Sequence, residues 1–84
     1  MPSLSDLIKK APQAVKDKYK MKIREKAIER VKEKIIKHEK KIDDYSDDEM
    51  EAMIAEEQGR LNDDVRQGIL TTLLVAAGID ILLL

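Results

Sequence analysis

Apolar residues recur at every fourth position from Val15 to Ile35: Val15, Tyr19, Ile23, Ala27, Val31 and Ile35. Ile28, His38 and Ile42 widen the same stripe, and charged residues fill most of the positions between. This is the spacing of one side of an α-helix. A step of four overshoots the helical repeat by about 40°, so the stripe winds slowly around the axis. No glycine interrupts the stretch and its only proline is Pro12, which suits a first turn because its missing N–H is not needed there. The pattern therefore predicts one long amphipathic helix over 12–41. From Ile28 to Ile42 the spacing is heptad-like, over too few repeats to define a coiled coil.

Ser3 followed by Asp6 resembles a capping box and predicts a short helix over 4–10. Asp43, Asp44, Tyr45 and Ser46 form the one evident turn. Ser46 with Glu49 is a second capping box, and Asp47 and Asp48 place negative charge at the positive end of the next helix dipole. That helix is expected over 47–67, on a stripe of Met50, Ile54, Leu61 and Val65, with Gly59 and Gly68 as places for a kink or boundary. From Ile69 to Leu84 the chain is apolar on nearly every side, broken only by Thr71, Thr72, Gly78 and Asp80. A helix over 69–84 is expected, with a short strand at Ile79 and Ile81 as the alternative for its end.

The fold class these elements define is all-α. It is a single small helical domain over 1–84, built as a long antiparallel hairpin with a short amino-terminal helix and an apolar carboxy-terminal helix. A reversal at Asp43–Ser46 sets the register. Ile35 then faces Ile54, Ile28 faces Leu61, and Val15 falls beside Leu73 and Leu74. Lys34 approaches Glu56 or Glu57, Lys26 approaches Asp63 or Asp64, and Lys41 approaches Asp48. Exposed pairs of this kind contribute roughly 0–1 kcal/mol each and act more on register than on stability.

Composition sharpens this picture in two ways. The chain has 84 residues, 39% of them charged, no cysteine, and only Tyr19 and Tyr45 as aromatics. Thiol chemistry, disulfides, zinc fingers and iron–sulfur clusters are thereby excluded. The net charge of −1 also conceals a segregation. Residues 1–42 carry fourteen Lys plus Arg against six Asp plus Glu, a balance of +8, and residues 43–84 carry two against eleven, a balance of −9. Either the basic half meets an anionic partner or the halves fold against one another, and the matching register favours the second reading.

Lys26, Arg30, Lys34, Lys37 and Lys41 form the basic face of the long helix. Arginine is scarce there, no asparagine reads bases, and Tyr19 is no stacking platform, so nucleic acid is the least favoured of the anionic partners. The same face beside an apolar stripe suits an anionic membrane surface, although the acidic half would be repelled. The acidic cluster around Asp44 fails the calcium-loop pattern, with Glu49 where glycine belongs and Ala55 where glutamate belongs. His38 has no carboxylate at helical spacing to orient it and reads as a residue packing at the edge of the stripe. Met50 and Met53 read as core. No phosphate loop, nucleophile set or ligand pair appears, so neither an enzyme, a cofactor, a metal nor a small-molecule substrate is expected.

The apolar tail dominates the functional expectation. At about 24 Å it falls short of the roughly 30 Å hydrocarbon core of a bilayer, and Asp80 opposes insertion. A helix apolar all round must nonetheless be covered. The expectation is a non-catalytic structural or interaction protein that self-associates, most simply as a dimer, with Leu70, Leu73, Leu74, Ile79, Ile81 and Leu82 at the interface. The alternative is a peripheral membrane protein anchored by the tail and the basic face, and a non-specific nucleic-acid binder comes third. A cytoplasmic location follows from the first reading, membrane association from the second.

Overall fold

The computed structural model describes residues 3–79, all of whose regular structure is helical. The helices are α1 (Leu4–Lys10), α2 (Gln13–Lys37), α3 (Asp47–Arg60) and α4 (Asp63–Ala76). The protein is thus all-α. The part of the expected tail helix that lies in 80–84 is outside the described residues.

Each helix begins where a side chain or a proline removes the need for an orphan backbone partner. Ser3 Oγ accepts the Asp6 N–H at 3.2 Å to start α1. Pro12 immediately precedes α2, and its carbonyl accepts the Lys16 N–H at 3.0 Å. It sits one position outside the helix, where its preceding residue, Ala11, is extended as proline requires. Ser46 and Glu49 form the expected reciprocal box at α3, each bond 3.1 Å.

The six fourth-position residues of α2, from Val15 to Ile35, are all buried. The helix ends at Lys37, however, four residues before the expected Lys41. Glu39 takes a left-handed φ of 57°, its N–H donates to the Ile36 carbonyl, and the Lys40 N–H donates to the Ile35 carbonyl. Together these bonds satisfy the last carbonyls in a Schellman arrangement. Lys41 then donates its N–H to Asp44 Oδ2 at 2.8 Å, inside a 3₁₀ turn over Ile42–Asp44. Ile42, expected on the buried stripe, is 45% exposed in that turn.

The expected helix over 47–67 is two helices. α3 stops at Arg60, Leu61 and Asn62 are extended, and Asn62 Oδ1 accepts the Val65 N–H at 2.9 Å to start α4. Neither glycine makes this break, since Gly59 and Gly68 both lie inside helices. The cause is the string Leu61-Asn62-Asp63-Asp64, which repeats the logic of Tyr45-Ser46-Asp47-Asp48: an apolar residue, a capping side chain, then two acids at the dipole's positive end. α4 ends in a second Schellman arrangement, with Gly78 at φ 78° in the position Glu39 holds after α2.

The chain divides into two compact units. One comprises residues 1–23 and 62–84. In it α1 packs against α4, and the buried side chains are Leu7, Ala11, Val15, Tyr19, Ile23, Leu70 and Leu74. The other is Arg24–Leu61. Its core is Ala27, Val31, Ile35 and Ile54, flanked by half-buried Ile28, Tyr45, Met50 and Met53. Ile35 and Ile54 thus share one core, as the hairpin register predicts.

Candidate functional site

The most elaborated polar site lies in the second unit, on the side of α2 that carries Arg30, Glu33, Lys34 and Lys37. These four positions, spaced 3, 4 and 7 residues from the first, fall on one face of a helix. α3 supplies Glu57 and Arg60, and the six side chains line an open cleft of about 390 Å³.

Glu57 stands at its centre. It follows Ile54 by one helical step, so the burial that seats Ile54 in the core also draws Glu57 inward, to 4% exposure. It is the one buried charged residue among those described. A buried carboxylate is costly unless paired. Here Lys34 Nζ donates to Glu57 Oε1, and Arg60 Nη1 donates to the same oxygen at 3.4 Å. The Lys34 hydrogen bond, reinforced by the charges of Lys34, Arg60 and Arg30, holds the Glu57 carboxyl below its usual range against the opposing effect of burial. Arg60 also donates through Nη2 to Glu56, so it bridges two carboxylates of its own helix.

A second interhelical pair lies on the other flank of the core. Arg24 binds Glu51 in a two-pronged contact, Nη2 to Oε1 at 2.5 Å and Nη1 to Oε2 at 3.1 Å. The hydrogen bond to Arg24 lowers the Glu51 pKa and raises that of Arg24. From Arg24–Glu51 to Lys34–Glu57 the residue number rises on both helices. In an antiparallel register one number must fall as the other rises, so α3 crosses α2 instead of following it in one register. Lys34 with Glu57 was foreseeable from the hairpin. Arg24 with Glu51 was not, because it depends on that crossing.

The expected basic face is only partly one surface. Arg30, Lys34 and Lys37 come together at the cleft. Lys26 turns instead to Glu29 on its own helix, at 3.8 Å, and not to Asp63 or Asp64. Lys41 lies beyond the end of α2 and is exposed, with its backbone engaged by Asp44 and not by Asp48. Three cleft residues lie outside the expected face: Glu57, which the register set near Lys34, and Glu33 and Arg60, of which Arg60 alone carries a weak sequence signal, standing three and four residues after Glu57 and Glu56.

The expected self-association residues also divide. Leu70 and Leu74 are fully buried within the chain itself, so they have no area to offer a partner in this conformation. Leu73 and Ile79 are half-buried, and Val75, which follows Leu74, is 62% exposed. Ile81 and Leu82 lie outside the described residues. His38 is exposed just past the end of α2 and does not pack at the edge of the stripe.

Among the described residues no group of three histidines or carboxylates is arranged to hold a metal ion, and no helix is long and apolar enough to cross a membrane. Comparison with protein-family models, with curated proteins and with solved structures finds no match.

Proposed function

We propose that this chain is a non-catalytic interaction protein that self-associates through its helices, most simply as a two-fold dimer in a cytoplasmic setting. The observation that carries the reading is Val75, left 62% exposed at the end of α4 while its neighbour Leu74 is fully buried. Val75 leads into a segment, Ile79 to Leu84, whose only polar residue is Asp80. With Leu70 and Leu74 consumed inside the first unit, the proposed contact centres on Val75 and Ile79. An exposed aliphatic side chain that leads in sequence into an apolar segment is a candidate for cover by a second copy. The polar architecture supports the non-catalytic part of the reading: its buried carboxylate is neutralised by cations and so is poorly placed to take up a proton near neutral pH.

The test is sedimentation equilibrium of the full chain in detergent-free buffer. A mass of two chains is expected, falling to one in a Val75→Glu variant whose circular dichroism is unchanged. A wild-type monomer at high micromolar concentration overturns the proposal. Partition of the wild type onto anionic vesicles in place of dimerisation would favour the membrane-surface reading.

A further inference from the structure

We infer that the cleft between α2 and α3 binds a soluble phosphate-bearing anion, with Arg30, Lys34, Lys37 and Arg60 as its ligands and Glu57 as the internal carboxylate with which that anion competes. The inference does not depend on self-association, because all the residues involved lie in the second unit.

Four cations and two carboxylates line the cleft, a formal charge of +2 on a chain whose net charge is −1. Lys34 and Arg60 are engaged by Glu57, and Arg60 also holds Glu56 just outside the lining, which leaves a balance of +1. Arg30 and Lys37 form no ion pair among the described residues. Arg30 and Lys34 stand four apart on one helix face, where like charges repel by a few tenths of a kcal/mol. The site is therefore under-neutralised, and an arriving anion relieves that repulsion.

Glu57 shows what the cleft accommodates. A single carboxylate oxygen sits between Lys34 Nζ and Arg60 Nη1. A carboxylate brings one charge, whereas a phosphoryl group brings about −1.5 to −2 near neutral pH and three acceptor oxygens, enough to engage Arg30 and Lys37 as well. The volume, about 390 Å³, falls in the range of small-ligand sites. No aromatic side chain lines it, so it offers a base nothing to stack on. The chemistry recognised is the phosphate group itself, in a discrete anion and not along a polymer backbone.

The probe is pyrophosphate, titrated at low ionic strength into the full chain and followed by nitrogen-15 NMR. Saturable shifts are expected around Arg30, Lys34, Lys37 and Arg60. Arg30→Ala and Lys37→Ala should each weaken association about three- to tenfold, the range for losing one partly solvated charged hydrogen bond. Glu57→Gln removes the competing carboxylate and should tighten binding severalfold. Asp43→Asn makes the same change in net charge away from the cleft and should leave affinity unchanged. Absence of saturable shifts overturns the inference, as does equal tightening by Asp43→Asn and Glu57→Gln. Shifts along the whole lysine row of α2 with single-stranded RNA, and none in the cleft with pyrophosphate, would also overturn it in favour of polymer binding. If Glu57→Gln fails to fold, the Arg30→Ala and Lys37→Ala variants still decide the matter, since both remove side chains that no carboxylate holds.

Discussion

Among the described residues each unit holds a buried polar side-chain group, and the two are partnered differently. In the Arg24–Leu61 unit the group is the Glu57 carboxylate, served by Lys34 and Arg60. In the unit of residues 1–23 and 62–84 it is the Tyr19 hydroxyl, which is buried and has no hydrogen-bond partner among the described residues. An ionised group left alone in an interior costs several kcal/mol, whereas an unpaired hydroxyl costs about 1–3. The charge had to be paired for the fold to exist. The phenol could be left unpaired because its ring still adds apolar burial to the stripe of α2. A buried polar atom therefore marks a built site only where partners converge on it, and here only Glu57 qualifies.

The apolar interiors make the two units comparable before their polar groups distinguish them. Leu74 is fully buried in one, and Ile54 is 5% exposed in the core of the other. Truncation of either to alanine should destabilise the protein by about 2–4 kcal/mol, the usual cost of removing a buried aliphatic side chain. For a chain of this size that approaches the whole stability. Chemical denaturation should show both variants largely unfolded in dilute buffer. A variant losing less than about 1 kcal/mol would show that its unit is not held by the interior described.

The same contrast explains what could be read from the sequence. The buried line of α2 was legible because one periodicity, from Val15 to Ile35, contains it all. Caps at Ser3 and Ser46 were legible because each is a local bond between residues three apart. Asn62 uses the same chemistry, but it lay inside an apolar stripe running from Ile54 to Val65 that reads as continuous helix. The early end of α2 turns on Glu39 adopting a left-handed backbone, which its residue type does not announce and which Gly78 does. At the cleft, Lys34 and Glu57 were legible from register, whereas the contribution of Arg60 and the Arg24–Glu51 pair follows from how α3 crosses α2. The cation-rich lining of the site was thus visible as charge pattern, and its geometry was not.

Changing the paired group should have the next largest effect. Glu57→Gln removes the charge that offsets Arg30, Lys34 and Arg60, and should cost about 1–2 kcal/mol, less than a fully buried pair because Lys34 and Arg60 remain half in solvent. The sign of the pH effect follows from the lowered pKa of Glu57. Its stabilisation is fully present above the unfolded-state value of about 4.5 and is lost as pH falls through the lower folded value. Thermal midpoints of the wild type should therefore drop as pH falls below about 4.5. The Glu57→Gln variant should show a shallower drop, with the remainder coming from Glu51 and Glu49, whose pKa values are also lowered. Identical slopes for the two proteins would mean that Glu57 is not ionised in its pocket.

Changing the unpaired group should have the smallest effect, and the opposite sign. Tyr19→Phe deletes one buried oxygen and keeps the ring, so the packing of the stripe is retained while the desolvation cost of the hydroxyl disappears. Deleting a hydroxyl that makes no hydrogen bond should be neutral or should raise stability by up to about 1 kcal/mol. The comparison with Glu57 is informative because both substitutions remove polarity from an interior with little change in shape, and only the partners differ. Thermal denaturation of both variants at neutral pH reads the two signs directly. A loss of about 1 kcal/mol or more in Tyr19→Phe would mean that the hydroxyl is bonded in solution, to an ordered water held in the first unit. The two units would then follow one rule, that polar atoms are buried only with partners, and the distinction drawn from Tyr19 would collapse.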